Sequence, residues 1–142
     1  MRHKVEYAIV RVPAWVQDRV KDPACSAIKD KHRILIREWM VKFGFKPTKT
    51  YVWAVRDRKN HARGACCYWW RGHKVGIEFT HRTLRSMGFF KKALIHELLH
   101  ASINRASDEK SIRKLGNINL IRPPKHEELV ELLTDIILKE HE

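Results

Sequence analysis

A chain of 142 residues with 29 Lys and Arg against 16 Asp and Glu carries a net charge of +13, and 44% of it is apolar. That length suits one domain spanning residues 1–142 with a core that needs no disulfide staples, and the composition excludes a disordered chain. No apolar run nears the ~18 residues of a membrane span, and Arg2, His3, Lys4 and Glu6 leave no apolar stretch for a signal peptide, so a cytoplasmic protein is expected.

In chain order, Val5 to Val12 reads as a first strand ended by Pro13, and Trp15 and Val16 as a short turn or helix. Asp22-Pro23 is a helix start, with Asp22 as cap and Pro23 in the first helical position. A long helix is then predicted from Ala24 to Phe43, stopped by Gly44. Its Lys31, Arg33, Arg37 and Lys42 form a solvated face. Three strands follow: Tyr51 to Val55, Ala65 to Trp70 and Lys74 to Thr80. The polar turn from Asp57 to Gly64 separates the first two, and Arg71-Gly72-His73 the last two. Val75, Ile77 and Phe79 alternate with Lys74, Gly76, Glu78 and Thr80, which predicts a half-buried third strand with one wet face. That strand can form the edge of a cleft, and Gly76 would let a substrate backbone approach closely.

The cysteines are Cys25, Cys66 and Cys67. An odd count, with two adjacent and no Cys-x-x-Cys, points to reduced thiols rather than a disulfide frame or a zinc ribbon. The charge is uneven. Residues 126–142 hold six acids and one Lys, a net of −5, so the remainder carries +18. A basic body with an acidic last helix suggests a polyanionic partner, with nucleic acid as the first candidate. Arg58, Lys59 and Arg63 in the hairpin turn, with Arg33 and Arg37, would make non-specific DNA contact through this basic surface.

The chemistry lies between Phe89 and Asn104. This segment has no Gly or Pro, and Phe90, Leu94, Leu98 and Ala101 repeat as one helical stripe. Within it His96, Glu97 and His100 form His-Glu-x-x-His. Residues four apart share a helix face, so the two imidazoles can hold one metal while Glu97 reaches its open side. Two His ligands, a third ligand from elsewhere and a Glu general base make the arrangement of zinc hydrolases, with one Zn2+ per chain. Past the motif, Ser107 can cap a short helix from Asp108 to Leu115 closed by Gly116. Asn117 to Arg122 reads as extended, and Pro123-Pro124 opens a last helix over His126 to Lys139.

The third ligand is open on spacing alone. A metzincin needs Gly three residues and His six residues after His100, where this chain has Ile103 and Ala106. The last helix offers His126, Glu127, Glu128, Glu131 and Asp135. His126 aligns with Val130, Leu133 and Ile137; Glu127 aligns with Val130, Thr134 and Ile137; Glu128 and Glu131 fall on the more polar side.

The segment Ala-Leu-Ile-His-Glu-Leu-Leu-His-Ala, followed by His-Glu-Glu-Leu-Val-Glu-Leu-Leu-Thr, resembles the minigluzincins and, more distantly, ImmA/IrrE-type and SprT-like peptidases. The resemblance covers roughly Lys74 to Leu138 and leaves the basic N-terminal half unaccounted for. It implies an α+β, zincin-like domain. In it a small antiparallel or mixed sheet packs on a long N-terminal helix and the His-Glu-x-x-His helix, with a ligand-bearing C-terminal helix. In the ImmA/IrrE-type pattern the ligand Glu precedes small or apolar residues three, six and seven places on. Glu127 with Val130, Leu133 and Thr134 matches that spacing, while SprT-like enzymes use a third His, a part His126 would take. The function implied is zinc-dependent endopeptidase activity on protein or peptide substrates, by Glu97-assisted attack of zinc-bound water, on DNA-associated proteins or in a latent form. The alternative is a nucleic-acid-binding or regulatory protein on the same scaffold, with a structural metal or none.

Overall fold

The computed structural model describes residues 9–20, 22–56, 64–70, 74–107 and 123–141, without the side chains of 19, 104, 106, 107 and 123–126. They form helices α1 (Ala14–Arg19) and α2 (Asp30–Phe43), a 3-10 turn (Pro47–Lys49) and strands β1 (Thr50–Val55), β2 (Ala65–Trp70) and β3 (Lys74–Thr80). Helices α3 (His81–Arg85), α4 (Met87–Ser107) and α5 (Pro123–Glu140) follow. This is the expected α+β architecture. The strands form a mixed sheet in the order β1-β3-β2, with β3 parallel to β1 and antiparallel to β2.

The three strands lie where their β-branched and aromatic residues put them, but their burial differs from the expectation. β3 is the central strand, not an edge, and from Val75 to Thr80 it is buried on both faces. Val75, Ile77 and Phe79 join the main core with residues of α2 and α4. The alternate face, expected to be wet, lies under an aromatic cluster. There Trp15 of α1 meets Trp53, Tyr68 and Trp70 edge-on, at ring separations of 6.3, 5.3 and 5.2 Å. Glu78, fully buried on that face, accepts from Trp53 Nε1 at 3.1 Å and from the Tyr68 hydroxyl at 3.4 Å. Alternation between apolar and polar residues marks two environments; here both are dry. Gly76 is likewise reassigned. A Cβ there would lie 2.7 Å from the Trp53 indole and 3.0 Å from that of Trp70, so the glycine makes room for side chains of this chain, not for a substrate.

The Asp22-Pro23 signal does not start a helix. Asp22 takes a left-handed conformation with φ of 54°, and Ala24 pairs with Ala54 of β1 through two backbone hydrogen bonds of 2.9 and 2.6 Å. Sheet pairing outweighs the local cap, and α2 begins only at Asp30. Its cap is Lys29, whose N–H donates to Nδ1 of the buried His32 at 3.0 Å, while His32 Nε2 donates to the Leu84 carbonyl at 2.7 Å. One imidazole thus starts α2 and ties it to α3. Burial, ahead of the nearby Lys31 and Lys29 charges, holds the His32 pKa below its ordinary value, against the opposing pull of the Leu84 carbonyl. Gly44 ends α2 as its composition predicts, left-handed at φ 73°.

Residues 1–8, and with them the first half of the strand expected over residues 5–12, lie outside the described residues; of the rest, Val10 makes a single parallel bridge to Val52. Residues 57–63, 71–73 and 108–122 are also outside them, and with these Arg58, Lys59, Arg63 and the segment read as a short helix and an extended stretch. No helix among the described residues is long and apolar enough to cross a membrane.

Candidate metal centre

Helix α4 packs against α2, α3, α5, β2 and β3. Ser86 opens it, its Oγ accepting from the Phe89 N–H at 3.4 Å. The predicted stripe of Phe90, Leu94, Leu98 and Ala101 is fully buried. Ile95 and Leu99 are buried beside it, because α4 is enclosed by α2, α5 and β2. That enclosure also dries the motif: His96 and Glu97 are only 6% and 5% exposed.

One helical turn apart, His96 and His100 bring their Nε2 atoms to 3.1 Å. Glu127 reaches them from α5, with Oε1 at 2.9 Å from His96 Nε2 and Oε2 at 3.2 Å from His100 Nε2. The reason it does so is legible in the helix phase. Among the described side chains of α5 the buried ones are Val130 and Thr134, and Glu127 lies on the same face, one turn before Val130. Leu129, Leu132 and Ile136 are exposed instead. Glu128 is exposed, and the side chain of His126 lies outside the described residues. Glu131 serves differently. Its Oε1 lies 3.6 Å from the other nitrogen of His96, Nδ1. A carboxylate on that side favours the tautomer with its proton on Nδ1, in which Nε2 is the nitrogen able to ligate a metal.

Among the described residues, His96, His100 and Glu127 form the group that can hold a metal ion. The donor set fits a borderline cation of the zinc type, which takes His nitrogen and carboxylate oxygen together. The spacing fits too. With one donor atom from each residue, the three ligand atoms lie within 4.8 Å of one another, close enough to share one ion. Charge points the same way: three acidic side chains, Glu97, Glu127 and Glu131, crowd two imidazoles, and a divalent cation offsets their mutual repulsion.

The group opens into a hollow of about 300 Å³ lined by Ala65, Cys66 and Cys67 of β2 together with His96, Glu97, His100 and Glu127. Nothing in the residue pattern of β2 marks it as bordering the site, since edge position depends on strand order. Burial, with the Glu97 charge and Cys66 adding to it, holds the Cys67 thiol far above its ordinary value. Burial also raises Cys66. Neither cysteine belongs to the group of His96, His100 and Glu127.

No protein-family model, curated protein or solved structure matches this chain.

Proposed function

We propose that the chain is a zinc-dependent endopeptidase of the gluzincin type, on a zincin-like fold, with His96, His100 and Glu127 as metal ligands and Glu97 as general base. The observation that carries the reading is the arrival of Glu127 on the His pair. Local helix geometry brings His96 and His100 together in any helix, but it does not bring a carboxylate from α5, 31 residues away, to 2.9 Å.

Zinc, when bound, supplies a Lewis acid that lowers the pKa of water toward ~7 and polarises a scissile carbonyl. The protein's own groups do the rest. Glu97 lines the same hollow as the ligands and is shielded from bulk water. Its carboxylate takes a proton from the attacking water and hands it to the leaving amine nitrogen. Glu131 keeps the His96 ring oriented. The outer edge of β2 pairs with no described strand and borders the hollow, so an extended peptide can add to it as a further strand.

The test is hydrolysis of casein or a quenched peptide by untagged protein, before chelation, after it and after zinc is returned. The proposal expects activity that follows the metal and disappears in Glu97→Gln with the metal kept. Metal bound without hydrolysis would favour a regulatory or nucleic-acid-binding protein with a structural ion.

A further inference from the structure

Helix α4 carries a second polar cluster, beyond its His pair. Arg105 lies five residues past His100, about 7.5 Å further along the helix axis, and reaches the end of α2. Its Nη1 donates to the Gly44 carbonyl at 3.1 Å and its Nη2 to the Phe43 carbonyl at 2.9 Å. The guanidinium lies 4.4 Å over the Phe45 ring. There it borders a hollow of about 190 Å³ lined by Gly44, Phe45, Lys46, Lys49, Thr50 and Arg105.

The cations of this hollow are organised. Lys46 precedes the 3-10 turn as its cap and Lys49 ends it, and both line the hollow. Arg11 braces the turn from behind, donating to the Thr48 carbonyl at 2.6 Å with its guanidinium 4.0 Å over Tyr51. From Trp39 to Arg56 the chain has four Lys and Arg and no acid. Lys42 is tied to Glu38 at 3.1 Å, which leaves Lys46, Lys49 and Arg105 as the local charge. The C-terminal end of α2 opposes an anion here, because its free carbonyls carry partial negative charge. Arg105 sits on two of those carbonyls and reverses the sign, with two of a guanidinium's five N–H donors used.

We propose that this hollow is a phosphate-binding site that seats the backbone of a nucleic acid. Lys46 and Lys49 contact adjacent phosphates and Arg105 supplies the fixed fork at the centre. Phosphate contacts carry no base information, so binding is independent of sequence. The net charge of +13 attracts any polyanion; the hollow gives that attraction one place to act. The inference does not rest on the metal centre, and Glu97→Gln protein is expected to bind DNA as the wild type does.

The experiment measures anisotropy of labelled 20-nucleotide single- and double-stranded DNA with the full chain at ~50 and ~200 mM salt. The double reversal Lys46→Glu with Lys49→Glu is compared with Lys31→Glu on α2 and Arg82→Glu on α3, an equal charge change in which Lys31 lies about 18 Å along α2 from Phe43. The expected result is at least a tenfold rise in Kd for the first pair and a fall of about 2 in the salt slope. The control is expected to change Kd by no more than two- to threefold. Lys46→Gln with Lys49→Gln gives the same direction if the reversal perturbs folding. Equal losses in test and control overturn the site. Competition by polyglutamate as strong as by DNA of equal charge overturns the nucleic-acid assignment. Absence of binding at micromolar protein and ~50 mM salt overturns both.

Discussion

The sheet separates two buried glutamates, one on each of its faces. Glu78 on β3 is fully buried and both its oxygens accept bonds, from Trp53 Nε1 and the Tyr68 hydroxyl, beneath a lid of aromatic rings. Glu97 on α4 is 5% exposed, yet it borders an open hollow shared with two imidazoles and Glu127. Burial fixes the cost of each carboxyl group; the neighbours decide its use. On the α1 face the polar atoms are consumed in holding side chains together. On the α4 face they converge on a point that a cation and a water can enter.

Substitutions on the two faces should therefore fail in different ways. The largest effect belongs to Glu97→Gln, expected to lower turnover by about 100- to 10,000-fold with the thermal midpoint and bound metal kept. Glu78→Ala should do the reverse. It leaves the buried Trp53 donor without its acceptor, at about 1–3 kcal/mol in a denaturant titration, while metal content stays at the wild-type level. A Glu78→Ala protein that folds normally and loses its metal would erase the contrast.

Next come the residues around His96. Glu127→Ala should weaken metal binding at least tenfold by removing one charged ligand, and Glu131→Ala by roughly tenfold through loss of ring orientation. Glu128→Ala, exposed on α5, should change it least. Competition against a chelator ranks the three. Gly76→Ala probes the opposite face, where the added methyl meets the Trp53 and Trp70 rings. It should cost roughly 1–3 kcal/mol of stability and leave metal affinity unchanged.

The smallest effect is a pH dependence from His32. Its pKa is lowered in the folded chain, by burial first, so below ~6.5 the unfolded chain binds the proton more readily. Stability from this group is present above ~6.5 and is lost as pH falls through the folded value. Lys29 and Lys31 beside the ring act in the same direction. The denaturant midpoint should fall between about pH 7 and 5, and the fall should be smaller in His32→Gln.

The parts of the molecule legible in sequence are those set by local periodicity. The stripe of α4, the Gly44 stop, the three strands and the phase that points Glu127 with Val130 and Thr134 all follow from spacing along one element. The parts not legible depend on what a second element does. Asp22-Pro23 loses its cap role because Ala24 pairs with Ala54. β3 is dry on both faces because α1 brings Trp15 across the sheet. Arg105 gains its place from a helix end 61 residues earlier in the chain. Glu131, read among the third-ligand candidates, instead faces the far nitrogen of His96, since only the packing of α5 on α4 sets which nitrogen each carboxylate meets.

The central claim is that α4 and α5 together hold a metal, and the most direct measurement is the zinc content of untagged protein purified with full metal supply. About one zinc per chain is predicted in the wild type and in Glu97→Ala, with loss in His96→Ala and in His100→Ala, each checked for folding by circular dichroism. Wild-type protein that is folded and free of zinc under those conditions would contradict the account.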